Sequence, residues 1–156
     1  MRVEFGKLIA EIVRKDKDVY VLDLDFGNIF NDLLNENPDH LLTLGVTEQA
    51  AIGVAAGMAL EGLKPYVFAI TPFLLERPFE QIKLDIVQQK ANVKLISSWS
   101  YPTAGPTHQV LNVEKECEIL GIKLVAPKNS KETREKILET YKIDEPVFFY
   151  LTKDAI

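Results

Sequence analysis

Short runs of β-branched and aromatic residues recur along the chain: VYVLDL (19–24), LLTL (41–44), PYVFAIT (65–71), VKLISS (93–98), IKLVAP (122–127) and PVFFYLT (146–152). Each is apolar almost throughout rather than alternating, which is the pattern of strands covered on both faces of a parallel sheet. Between them, apolar residues at helical spacing predict helices over 3–15, 28–36, 48–61, 74–90, 112–120 and 130–142. The last opens with Ser130 as a cap and Glu132 and Thr133 in its first turn. Alternation of this kind predicts α/β architecture: a doubly wound, mostly parallel sheet of about six strands with helices on both faces. At 156 residues the chain suits one core and is short for two, and no repeat or linker divides it.

Composition narrows the function classes. The net charge is −5 and basic residues are interspersed with acids, so no footprint for nucleic acid or an anionic membrane is present. The single cysteine, Cys117, lies in the helical pattern VEKECEILG and can form neither an internal disulfide nor a zinc cluster. The first helix repeats apolar residues at Phe5, Leu8, Ile9, Ile12 and Val13, unlike the apolar block of a signal peptide, so a cytoplasmic location is expected. The longest apolar stretch, 50–60, is about half the length of a bilayer-spanning helix. No membrane partner is expected.

In doubly wound folds ligands bind where strands end and helices begin. The segments in that position are DLDFGN (23–28), GVTEQ (45–49), TPFLLER (71–77) and SWSYPTAGPTHQ (98–109). Glu48 opens the run EQAAIGVAAGMALEG, where it can complement the helix dipole behind a Thr47 cap. Gly53 and Gly57 cost the same helix about 1 kcal/mol each relative to alanine unless something approaches closely. That neighbour is either the sheet or a second subunit. In the second case Glu48 lies buried at the seam, where a carboxyl group removed from water can share a proton with a partner base. His108 sits in a loop bounded by Gly and Pro, as a surface histidine or a binding residue, while His40 after NENPD reads as turn chemistry. Of Asp23 and Asp25 only one can face the crevice, and Asp25 beside Phe26 and Gly27 is the choice, with an ordinary turn aspartate as the alternative. No Cys or second His stands at ligand spacing, so no metal site is expected, and neither a G-x-G-x-x-G nor a Walker pattern follows the first strand.

In order, DLDFG, LGVTEQAAIGVAAGMALEG, PFLLERPFEQIKLDIV and GPTHQ resemble the pyrimidine-binding domain of thiamine diphosphate enzymes of the transketolase family, over essentially the whole chain. The resemblance implies that Glu48 hydrogen-bonds a ring nitrogen of the cofactor's aminopyrimidine and so helps to activate thiamine diphosphate for two-carbon ketol transfer. It also implies that Phe73, or else Phe68, packs on the pyrimidine, and that Asp25 lies at the cofactor edge. His108 would then contact substrate, with Arg2 and Lys153 near a sugar phosphate or related keto substrate.

Several departures qualify the resemblance. Ala104 stands where the family has an acidic residue before GPTHQ, and Ser98 or Ser100 stands where an upstream histidine is expected, in a loop a few residues shorter. No Gly-Asp-Gly motif occurs, so residues 1–156 are expected to form one pyrimidine-binding domain, with the diphosphate-binding and C-terminal domains absent. The chain is then a fragment or one subunit of a split enzyme, a homodimer or heterotetramer whose partner chain carries the diphosphate-binding domain and holds magnesium. Alternatives are a non-catalytic assembly or regulatory module, part of a deoxyxylulose phosphate synthase-like enzyme, and a flavodoxin-like binding domain.

Overall fold

The computed structural model describes residues 1–24, 28–99 and 102–152. The strands are β1 (Val19–Asp23), β2 (Leu41–Thr43), β3 (Lys64–Ile70), β4 (Lys94–Ser98), β5 (Lys123–Val125) and β6 (Val147–Leu151), joined in one six-stranded sheet of order β2-β1-β3-β4-β6-β5. Every pairing is parallel, as the continuous apolar runs predict.

The helices are α1 (Arg2–Lys15), α2 (Asn31–Glu36), α3 (Glu48–Leu60), α4 (Thr71–Leu75), α5 (Phe79–Gln81), α6 (Val113–Leu120) and α7 (Ser130–Tyr141), and α5 runs on into a π-helical segment, Ile82–Val87. The hand of parallel crossovers decides which face each helix covers. Connections running toward the β5 edge use α3, the α4-to-π segment and α6, and the two that return toward β2 use α2 and α7. The core divides accordingly. Ala51, Ile52, Ala55, Ile82, Ile86 and Cys117 fill one side, while Phe5, Leu8, Ile9, Leu33 and Ile137 fill the other. Successive strand residues point to opposite sides, so Val67, Leu95 and Phe148 join the first group and Phe68, Ile96 and Phe149 the second.

Local chemistry corrects three expectations. Asn129, not Ser130, caps α7 by accepting from the Glu132 N–H at 2.9 Å, and the Ser130 hydroxyl instead accepts from the Met1 amino group at 2.9 Å. Thr47 occupies the N-cap position of α3 but donates its hydroxyl back to the Leu44 carbonyl at 3.0 Å, leaving the helix without a side-chain cap. The helix expected over 74–90 begins at Thr71 and breaks between Leu75 and Phe79. Pro78 lacks an amide proton and disfavours helical backbone at the residue before it. The second half then widens to i→i−5 bonding, Gln88 N–H to Lys83 C=O at 3.1 Å and Ala91 N–H to Ile86 C=O at 2.9 Å.

The amino ends of the strands are fastened by part-buried and buried polar groups. Asp16 accepts from Lys64 at 2.6 Å and from the Tyr141 hydroxyl at 2.5 Å. Burial opposes its ionisation, but the bonds from Lys64, Tyr141 and the Asp18 N–H outweigh this and hold the carboxyl down to about 2. Lys94 is buried and donates to Asn92 Oδ1 at 2.6 Å and to the carbonyls of Ile143 at 3.0 Å and Glu145 at 2.5 Å, with burial pushing its ammonium down to about 8. Among the described residues no helix is long and apolar enough to cross a membrane, and no group of three or more His, Cys, Asp and Glu could hold a metal ion.

Candidate functional site

The carboxyl edge of the sheet carries the cluster. Glu48, the first residue of α3, is only 5% exposed although its side chain ends in a carboxyl group. Its Oε1 accepts from Arg77 Nη1 at 3.1 Å. Arg77 lies in the break between α4 and α5, and its guanidinium carbon sits 3.5 Å from the centre of the Phe73 ring, a stacked cation–π contact. Phe73 in turn meets the His108 ring edge to face, with centroids 4.9 Å apart. Three separate segments therefore bring Glu48, Arg77, Phe73 and His108 together in series.

Backbone anchors fix this arrangement. Gln49 Nε2 donates to the Arg77 carbonyl at 3.3 Å, tying the first turn of α3 to the α4–α5 break. His108 ends a short 3-10 turn, Pro106–His108, entered through Gly105 at φ +111°, a conformation that favours glycine. The far end of that loop is held where the Leu111 N–H donates to Glu76 Oε1 at 2.8 Å. The start of α6 is closed reciprocally: Asn112 Oδ1 accepts from the Lys115 N–H at 2.9 Å and Glu116 Oε1 accepts from the Asn112 N–H at 3.0 Å. Beneath the loop, Thr71 donates to the Ser98 carbonyl and Ser97 donates to the Phe149 carbonyl at 2.8 Å, joining the ends of β3, β4 and β6.

The outward face of α3 bears on the question of its small residues. Ala50, Gly53, Val54, Gly57 and Leu60 are all exposed, whereas Ala51, Ile52, Ala55 and Ala56 pack on the sheet. A Cβ built at Gly53 or Gly57 meets nothing within 4 Å. Packing of helix on sheet is thus excluded as the reason for these glycines, because they lie on the other side.

Phe73 is half-buried within the cluster, but Phe68 is not available to pack on a ligand. It is wholly buried on the opposite side of the sheet, stacked 5.7 Å from Phe5 and edge-on 5.4 Å from Phe30, because its place in β3 points it toward α1. Arg2 is exposed at the start of α1, on the face opposite α3. Asp25, Lys153 and Ser100 lie outside the described residues. Ser98 is a buried strand residue, not a loop residue. His40 serves the fold, its Nδ1 donating to the Val19 carbonyl at 2.9 Å and its ring stacked 4.6 Å from Tyr20. Burial pushes the Cys117 thiol up to about 12, which agrees with a packing role. Arg77 and Glu76 lie in the segments TPFLLER and PFLLERPFEQIKLDIV, but sequence reasoning assigns neither of them a role. Phe73 and Arg77 stand four apart, a spacing that brings a guanidinium back over a ring on one helical face, and this is the signal the sequence offers.

The chain is 29% identical to an apulose-4-phosphate transketolase subunit of Phocaeicola vulgatus, an alignment covering 99% of this chain and 52% of the relative. It is 31% identical to 1-deoxy-D-xylulose-5-phosphate synthase of Caldanaerobacter subterraneus subsp. tengcongensis, covering 92% of this chain and 24% of that protein. A solved structure described as a split gene transketolase, inactive beta4 tetramer, superposes with a TM-score of 0.88 at 26% identity, covering 99% of this chain and 51% of that one. The chain thus spans about half the length, or less, of these relatives. The family described as transketolase, pyrimidine binding domain, matches residues 1–156, and the chain belongs to that family.

Proposed function

We propose that this chain supplies the pyrimidine-binding half of a thiamine diphosphate-dependent site for two-carbon ketol transfer, completed by a partner chain that carries the diphosphate-binding domain and its magnesium. The observation that carries this reading is the buried Glu48, joined to Phe73 through Arg77, at the start of a helix whose outer face is small, apolar and bare. A carboxyl group and an aromatic ring bridged by one exchangeable side chain suit an aminopyrimidine, which needs a hydrogen-bonding group at a ring nitrogen and a flat surface. Bound there, the cofactor supplies a carbanion equivalent for carbon–carbon bond cleavage and formation. Glu48 holds a proton toward the ring nitrogen, Phe73 fixes the plane of the ring, and His108 faces the reacting substrate. Asp25 is assigned to the cofactor edge, and Arg2 and Lys153 to the phosphate of a sugar phosphate or related keto substrate. The outer face of α3 closes against the partner, giving a cytoplasmic oligomer.

The test is reconstitution with a diphosphate-domain partner, thiamine diphosphate and magnesium, followed by an assay of ketol transfer. Turnover is expected only in the complex, with a loss of about 10²–10⁴-fold on Glu48→Gln, the range for removing a positioned proton-transfer group. Full turnover by the chain alone refutes the divided site, and unchanged turnover in Glu48→Gln refutes the role of Glu48. The Arg77–Glu48 contact favours a second reading, an assembly or regulatory module in which the carboxylate is spent on an internal ion pair. Cofactor binding by the complex that is indifferent to Glu48→Ala selects this second reading.

A further inference from the structure

The guanidinium of Arg77 is flat, lies 3.5 Å over Phe73 and donates to Glu48 at 3.1 Å. These are the two contacts that the proposed function asks of an aminopyrimidine: a planar face on Phe73 and an N–H or ring nitrogen against the Glu48 carboxyl. One group touches both residues, so the face of Phe73 that Arg77 covers is the one turned toward Glu48. A ring that reaches both residues must take the same space.

We infer that Arg77 is an internal occupant of the aminopyrimidine seat, holding Glu48 and Phe73 in place and leaving outward when the ring enters. The inference rests on the reading of Glu48 and Phe73 given above. Three further features support it. Arg77 stands outside regular helix, in the break before Pro78, so its side chain can turn without disturbing α4 or α5. Its side chain is 38% exposed, against 6% for Glu48, so water lies on one side of it and the seat on the other. Its backbone stays fixed when the side chain turns, because the carbonyl is held by Gln49. The arrangement spares a buried carboxylate from standing without a partner, and any ring that binds must first displace the guanidinium.

The experiment uses the full chain and, as probe, 4-amino-5-hydroxymethyl-2-methylpyrimidine, titrated by calorimetry, with the Arg77 side-chain N–H signals followed by NMR. Competition predicts that Arg77→Ala binds the probe about tenfold more tightly than wild type, equivalent to about 1.4 kcal/mol. In wild type, the Arg77 signals shift as the probe binds. Arg77→Lys retains the charge but cannot lie flat on the ring, and it should fall between the two. That variant also keeps the comparison open should Arg77→Ala leave Glu48 unpaired and fail to fold. Equal or weaker binding by Arg77→Ala and Arg77→Lys, with binding still abolished by Glu48→Ala, overturns the competition while leaving the seat intact. No binding to any variant, or binding indifferent to Glu48→Ala, overturns the seat and the competition together.

Discussion

Replacing Gly53 and Gly57 by alanine should make this chain more stable and worse at assembling. Both residues lie inside α3, both are exposed, neither has a positive φ, and an added Cβ meets no atom within 4 Å at either. Nothing in the fold opposes the intrinsic preference for alanine over glycine, about 0.8–1.0 kcal/mol in an exposed helix interior. Neither methyl meets an atom of the rest of the fold, so the two helix preferences together amount to about 2 kcal/mol. For a chain of this size that corresponds to a rise in Tm of about 4–8 °C. The assay is thermal unfolding followed by circular dichroism, at a concentration where gel filtration shows wild type and variant as the same species. On the proposed reading the same two methyls would stand where the partner approaches, and affinity in the reconstituted complex should fall. An unchanged or lower Tm for the double variant refutes the reasoning, since it would mean that the outer face of α3 is already packed against something. A gain in Tm with undiminished assembly refutes the use of that face as the seam.

The polar fastenings at the opposite edge give two further expectations. Asp16 is held to about 2, below its ordinary value, so the native state binds fewer protons than the unfolded chain between about pH 4 and pH 2. Its contribution is present above about pH 4 and is lost as pH falls through that window; it amounts to about 2 kcal/mol, and urea titrations across the window should lose that slope in Asp16→Asn. Lys94→Met leaves Asn92 Oδ1 and the Ile143 and Glu145 carbonyls without their donor, and equilibrium unfolding should show a loss of about 1–3 kcal/mol. A neutral Lys94→Met would mean that water replaces the ammonium at this edge.

The fold was legible because its signal is repeated. Each strand run is apolar on both faces, and Val67 beside Phe68, or Phe148 beside Phe149, shows why: adjacent residues serve opposite layers. Helix ends were less legible, because Asn129 and Ser130, or Thr47 and the Leu44 carbonyl, compete within a few residues and only the backbone course decides. Glu48, a charge among small residues, and Phe73 and His108, within the ordered motifs, were named from the sequence, and the structure brings them into one cluster; their roles belong to the proposal. Phe68 could not be separated from Phe73 by type, since both are phenylalanines near a strand end. The strand's alternation sends Phe68 into the core, while the turn into α4 releases Phe73 to the edge. Arg77 was hidden for another reason: its meaning lies in two contacts made at once, one of them to a residue of a different helix.

The two edges of the sheet differ in how far their polar groups are satisfied from within the fold. At the amino edge Asp16, Lys64, Lys94 and Tyr141 satisfy one another, or backbone carbonyls, across long stretches of sequence. On the layer behind, Arg134 of α7 clasps Glu4 and Glu11 of α1. These contacts need no partner to be complete. At the carboxyl edge the balance is reversed: Glu48 relies on a half-exposed arginine, Phe73 offers its ring to that arginine and to a loop histidine, and among the described residues nothing packs against Gly53 or Gly57 on the outer face of α3. Interactions that are internally complete cannot also be made with a ligand, so a binding edge has to carry groups whose partners can be exchanged. Arg77 meets that requirement for Glu48. The locked amino edge lets the fold tolerate an edge whose own contacts are provisional, and this predicts that substitutions at Arg77 or Gly57 change binding more than they endanger folding.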